Sequence, residues 1–212
     1  RQRRVLAHAS HELRSPLARL RMALALMEDA EDPSERAEAA ESAVREIGEL
    51  DELIEDVLLA SRLRGGVSTP RERTWVDLTR VCINLCERHD ATWLGSPVEL
   101  GVVGDRRLLE RALGNLLSNA RRHGEPPIEV DPRIIGDSVC IDILDRGAGI
   151  PEDQHVRIFE PFFRPAGHQE GDPGVGLGLS LVDEIARHHD GSVECSLREH
   201  GGMRFTLVLP TA

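Results

Sequence analysis

The stretch "DRRLLERALGNLLSNARRHG" at 105–124 reads as one helix, with Asp105 placed to cap its start. Asn115 and Asn119 stand four residues apart, which puts both amides on one face. Two amide oxygens so placed can hold Mg²⁺, a cation that takes hard oxygen ligands. Amide pairs also cap and bridge ordinary helices, so the pair alone leaves both readings open.

Downstream, "PIEV" (127–130) and "SVCIDILD" (138–145) read as strands, and "PVELGVV" (97–103) is another before the helix. "GLSLVDEIARHH" (178–189) is a second helix, followed by the strands "GSVECSLR" (191–198) and "MRFTLVLP" (203–210). This order predicts an α/β sandwich, a mixed sheet with helices on one face. Two glycine segments sit at element ends. "DRGAGIP" (145–151) supplies Asp145, Gly147 and Gly149 after a strand: a carboxylate there can accept the exocyclic amine of adenine, and the segment is also an ordinary turn. "GVGLGLSLV" (174–182) puts Gly174, Gly176 and Gly178 before a helix whose free N–H groups favour phosphate. It is neither a P-loop nor a dinucleotide fingerprint. Between them, "RIFEPFFRPAGHQEGDP" (157–173) has a polar half that reads as a lid, from which Arg164 can reach a terminal phosphate. Phe159, Phe162 and Phe163 fit the base of that lid better than a stack on a nucleotide.

Upstream, residues 1–64 read as two long helices. Leu6, Ser10, Leu13, Leu17, Leu20, Leu24 and Met27 repeat in steps of three and four. "MEDAEDPSE" (27–35) breaks the pattern, and Pro33 suits a first helical turn. Ala37, Ala40, Val44, Ile47, Ile54, Leu58 and Ser61 resume it. A two-helix hairpin cannot cover both seams, so pairing with a second copy into a four-helix bundle is expected. "RGGVSTPRER" (64–73) is a linker by composition. Within the first helix, "HASHELRSPL" (8–17) sets His11 about 100° from the seam, exposed to solvent and able to act as a nucleophile. Glu12 can hold its tautomer or take its proton, and Pro16 removes the helical partner of the Glu12 carbonyl. A surface histidine on a bent helix fits the same residues.

The 37 acids outnumber 26 bases, all of them Arg, for a net charge of -11. That balance argues against a nucleic-acid surface. Cys82, Cys86, Cys140 and Cys195 form no Cys-x-x-Cys pair and read as reduced, with Cys82 and Cys86 either buried or ligands on one helix face. No apolar run reaches the ~18 residues of a membrane span, so no membrane contact is expected of this stretch.

Taken in order, the segments resemble the boxes of bacterial two-component sensor histidine kinases. "SHELRSPL" resembles the H box, "NLLSNARRH" the N box, "DRGAGIP" the G1 box, "IFEPFFRP" the F box and "GVGLGL" the G2 box. The resemblance covers nearly the whole chain. It implies an α plus α/β two-domain fold: a dimerisation and phosphotransfer hairpin over 1–64, a linker over 65–73, and an ATP-binding domain of the gyrase, Hsp90 and MutL type over 74–212. It further implies His11 as phosphoacceptor, Glu12 as its acid–base partner, and Ser15 in a role in dephosphorylating the partner protein. Asn115 and Asn119 match the Mg-ATP positions, Arg122 a phosphate-contacting base that is usually Lys, Asp145 the adenine-reading acid, and Arg164 the lid arginine. His123 stands where the family often has Tyr, and Ser15 where Thr is commoner. The G2 match carries Gly174, Gly176, Gly178 and Leu179 as nucleotide contacts. The implied partners are a second copy and a response-regulator receiver domain. The implied setting is a cytoplasmic core of a protein anchored in the inner membrane. A plain ATPase or an anti-sigma-type serine kinase would share the nucleotide boxes but not the hairpin, and a catalytically dead scaffold would not need every box intact.

Overall fold

The computed structural model describes residues 14–64, 73–96, 99–165, 176–199 and 201–212. Helices α1 (Arg14–Asp29) and α2 (Pro33–Arg64) form the predicted hairpin. Its turn is held by side chains. Asp32 accepts from the Ser34 N–H at 2.9 Å, which starts α2. That bond and the Ser34 hydroxyl hold the exposed Asp32 carboxyl below its usual range. Arg36 donates to the carbonyls of Met27 (3.3 Å) and Ala30 (2.9 Å) and so covers the end of α1. Ala23, Ala39 and Ala43 are buried between the helices, where small residues let the backbones approach. Arg19 ties across to Glu46 at 2.8 Å.

The heptad seam divides in two. Ala23 and the half-buried Leu20 and Met27 turn toward α2, whereas Leu17, Leu24, Val44, Ile47, Ile54 and Leu58 are exposed, Val44 at 69%. One hairpin therefore leaves an apolar stripe uncovered along both helices. The bend expected at Glu12 and Pro16 lies largely outside the described residues, although Pro16 itself is buried in α1.

The second unit is the expected sandwich. Strands β2 (Thr92–Trp93), β4 (Glu129–Ile135), β5 (Ser138–Leu144), β7 (Met203–Pro210) and β6 (Ser192–Leu197) form one sheet in that order. β2 and β4 are parallel and the other pairs antiparallel. β4 outruns the predicted "PIEV" and contains Pro132. The Ile128 and Val130 carbonyls point to β2, so the Pro132 nitrogen points the same way, beyond the end of that two-residue strand, where no donor is needed. The strand predicted over 97–103 is β3 (Gly101–Gly104), and it pairs with β1 (Thr74–Asp77) in a separate two-stranded sheet.

Helices α3 (Leu78–His89), α4 (Arg106–His123) and α5 (Gly178–His188) cover one face of the sheet. Asp105 caps α4 as predicted, accepting from Arg107 (2.9 Å) and Leu108 (3.4 Å). Leu109, Ala112, Leu113, Leu116, Leu117 and Ala120 form its buried stripe at helical spacing. Val139, Ile141 and Ile143 of β5 meet it from the sheet. Cys82 and Cys86 belong to this core, which decides between their two readings: burial raises both thiols, Cys86 to about 11, and no cluster able to hold a metal occurs among the described residues.

His189, at the end of α5, is 3% exposed. Its Nε2 accepts from the Asp105 N–H at 3.0 Å, so Nδ1 carries the proton and donates to the Ile185 carbonyl at 2.8 Å. The neutral ring thus ties the start of α4 to the end of α5. Arg73 binds the same end through the His188 carbonyl and the Asp190 carboxylate (2.6 Å). The hairpin also touches this unit. Asp56 of α2 accepts from Arg111 Nε (3.0 Å) and Nη2 (2.8 Å), and Ala60 is 1% exposed within the core of the sandwich, with Leu59 and Leu63 beside it.

Candidate nucleotide-binding site

Asp145 follows the last residue of β5 and is 3% exposed. Its Oδ1 accepts from the N–H groups of Gly147 (2.8 Å) and Met203 (3.2 Å). Oδ2 has no hydrogen bond among the described residues, so the carboxylate is fixed in orientation with one oxygen left for a ligand. An amine donor facing it gains a bond whose acceptor is already ordered.

The end of α4 is brought against this acid. A Cβ on Gly124 would lie 2.6 Å from the Asp145 Cγ, and one on Gly147 would lie 2.8 Å from the Gly124 Cα, so only glycines allow the approach. The N-box helix and the G1 turn are therefore one wall. On α4, Asn115 and Asn119 are half-buried, while Arg122 and His123 are exposed in the last turn. Asn115 Nδ2 donates to the Gly178 carbonyl at 3.4 Å, which turns its oxygen away from that helix end. Asn119 makes no hydrogen bond among the described residues.

Gly178 opens α5, and no side chain caps its first turn. Those N–H groups remain for an anion. Leu177 and Leu179 seat the turn on the core. Just before it, the carbonyl of Gly176 (φ +69) accepts from the Phe162 N–H at 2.9 Å, and Phe162 is itself at φ +64. That bond closes the two ends of the segment between the F and G2 boxes. Phe159 and Phe163 pack against the core, with the Arg157 guanidinium 4.4 Å over the Phe163 ring; the lid read over this stretch lies largely outside the described residues. Arg164 is half-buried beside them.

The structure brings Asn115 to Gly178, the His123 carbonyl to Gly147 beside Asp145, and Gly176 to Phe162 and Phe163; Asn119, Arg122, Gly149, Arg164 and Leu179 lie on or next to the same elements. His11, Glu12 and Gly174 lie outside the described residues; of Ser15, only its place in α1 is described. Sequence reasoning missed the N–H groups of Gly147 and Met203 that aim Asp145, and the closeness of Gly124. The double glycine at 201–202, both at positive φ, was the available sign that a turn presses on this acid.

Comparisons with known proteins place both units in known families. Residues 1–66 match the family model for the His Kinase A (phospho-acceptor) domain, and residues 104–212 match that for the histidine kinase-, DNA gyrase B- and HSP90-like ATPase. The Sensor-like histidine kinase SenX3 of Mycobacterium tuberculosis is 33% identical over 222 aligned residues, covering 99% of this chain and 54% of that relative. Among solved structures, the Mycobacterial sensor histidine kinase MprB is 29% identical with a TM-score of 0.56, over 66% of this chain and 97% of that one. The Acinetobacter baumannii histidine kinase AdeS, 21% identical, shares the fold at a TM-score of 0.74 over 95% of this chain and 98% of that one. The chain spans about half the length of this curated relative. With both family domains in their order, and with the N, G1 and G2 residues around one site, the chain belongs to the two-component sensor histidine kinases and carries their catalytic core.

Proposed function

We propose that the protein transfers the γ-phosphoryl group of ATP to His11 and then to an aspartate of a response-regulator receiver domain. The observation that carries this reading is the fixed carboxylate of Asp145 against the end of the amide-bearing helix α4, whose Asn115 meets the uncapped start of α5, in a chain whose first 66 residues match a phospho-acceptor domain. In the first step a ring nitrogen of His11 bonds to the γ-phosphorus, the bond from that phosphorus to the bridging oxygen breaks, and ADP leaves. Glu12 orients the ring and takes its proton. In the second step the N–P bond breaks as a carboxylate oxygen of the regulator bonds to phosphorus. Such transfers depend on positioning and charge stabilisation.

Asp145 reads the adenine, the first-turn N–H groups of α5 and Arg122 face the phosphates, and Arg164 approaches the terminal one. The amide oxygens of Asn115 and Asn119 are hard donors suited to Mg²⁺, which when bound neutralises phosphate charge. The hairpin is the dimerisation unit over 1–64, joined by 65–73 to the nucleotide domain at 74–212. The uncovered stripe of Leu17, Leu24, Val44, Ile47, Ile54 and Leu58 meets its copy on a second chain. Inner-membrane anchoring of the full-length protein, with this core in the cytoplasm, belongs to the same reading; no helix among the described residues is long and apolar enough to cross a membrane.

The test is incubation with γ-labelled ATP and Mg²⁺. The label is expected on His11, labile in acid and stable in alkali, and lost in His11→Gln with nucleotide binding intact. Acid-stable label on a serine would instead make the protein a serine kinase. In the same assay Ser15→Ala is expected to keep autophosphorylation and lose release of phosphate from the regulator, and Ser15→Thr to keep both. Unchanged release in Ser15→Ala would remove the phosphatase role of Ser15.

A further inference from the structure

Asp145 and Met203 face each other as the next pair of the β5–β7 ladder after Leu144 and Arg204. The Asp145 N–H donates to the Met203 carbonyl at 3.1 Å, so this is a hydrogen-bonded pair, in which the Met203 N–H ordinarily returns to the Asp145 carbonyl. Here that N–H goes to the Asp145 carboxylate instead, at 3.2 Å. The carboxylate has taken the ladder's donor, and the backbone carbonyl of a buried residue is left to find another. Arg198 supplies it: Nη1 donates to the Asp145 carbonyl at 2.9 Å. Its Nη2 reaches Glu129 at 3.3 Å, and Glu129 also holds Arg146 at 3.7 Å. The Arg198 side chain is 14% exposed, so this is a fixed bracket and not a surface pair. The turn that carries Arg198 is pressed close, since a Cβ on Gly202 would collide with the Asp145 carbonyl.

From this exchange of donors we infer that Arg198 is a positioning residue for nucleotide recognition: by holding the Asp145 carbonyl it keeps the Met203 N–H on Oδ1 and so keeps the carboxylate aimed at the base. The inference rests on the proposed role of Asp145. Without Arg198 a buried carbonyl has no donor, and the Met203 N–H swings back to it. Oδ1 then keeps only the Gly147 bond, and the carboxylate is free to turn. Glu129, shared between Arg198 and Arg146, offsets part of the guanidinium charge.

The test compares ATP with inosine triphosphate, which carries oxygen in place of the exocyclic amine. Arg198→Met keeps the packed stem and removes the donors. It is expected to raise KM and Kd for ATP about three- to thirtyfold, as for a loosened buried hydrogen bond. kcat at saturating ATP should stay within about twofold, and the preference for ATP over inosine triphosphate should shrink by the same factor as the affinity. Arg198→Lys, which keeps a donor for the carbonyl, is expected to restore most of the preference, and Asp145→Ala/Arg198→Met to be no worse than Asp145→Ala alone. Equal weakening of both nucleotides, or no weakening of ATP, overturns the inference. Asp145→Ala separates the two levels. If it leaves the preference intact, the base-reading role of Asp145 fails and this inference with it. If it abolishes the preference while Arg198→Met does not, only the inference fails. Should Arg198→Met not fold, Glu129→Gln, which frees the guanidinium from its anchor, reads the same ratio with a smaller expected fall.

Discussion

At the scale of single residues, the site depends on donors and acceptors held in place before any ligand arrives. Asn119, on the proposed phosphate side, is the contrasting case: half-buried, with its amide unbonded among the described residues, it is available to a ligand. Asn119→Ala is expected to weaken Mg-ATP binding by about five- to a hundredfold, the cost of about 1–3 kcal/mol for one lost polar ligand. Calorimetry with unchanged protein stability checks it; unchanged affinity would place the nucleotide elsewhere. The amide pair was legible in the sequence because helical spacing alone puts residues 115 and 119 on one face. Asp145 was legible as an acid after a strand. What aims it was not, because Met203 lies 58 residues away in sequence and approaches only through the register of the sheet.

At the scale of elements, the two helices that frame the site are joined at their far ends by His189. Burial, the largest cause, lowers its pKa below the ordinary 6.5; His188 and Arg73 lower it further, while the bond to the Ile185 carbonyl and Asp105 oppose this. Protonation would place a proton on Nε2, which now accepts from Asp105. The unfolded chain therefore binds this proton more readily than the folded one, and stability is full above pH 6.5, declines as pH falls below it, and stops declining once pH is under the lowered folded value. Denaturation midpoints between pH 7.5 and 5.5 should accordingly fall further for the parent than for His189→Gln, which keeps a donor and an acceptor without titrating there. Parallel profiles would show that His189 does not titrate in this window. The sequence disclosed α4 and α5 as helices through their periodicity, but not this tie, since nothing in "ARHHD" separates an exposed histidine from a buried one. It likewise showed β3 without showing that its partner is the four-residue β1, whose apolar content is too small to stand out.

At the scale of the whole molecule, one hairpin leaves an apolar stripe uncovered. The seam read from the heptads is real as a stripe, yet the residues buried within one chain are mainly the alanines between its lines, and the larger side chains at Val44, Ile47, Ile54 and Leu58 face outward. Ile54→Glu or Leu24→Glu should convert the proposed dimer to a monomer in light scattering, with little change in nucleotide affinity, because neither residue touches the described site. A persistent dimer in both variants would move the interface away from this stripe.

The burial of Ala60 among the side chains of the sandwich means that the cut marked by the linker is not where cooperativity ends. The last two turns of α2 act as a further covering element for this unit. Excision of the nucleotide domain at the linker would uncover apolar surface around Ala60, Leu59 and Leu63 and strip Arg111 of the carboxylate it grips, so the shorter piece should melt earlier and self-associate more readily than one that begins at Leu53.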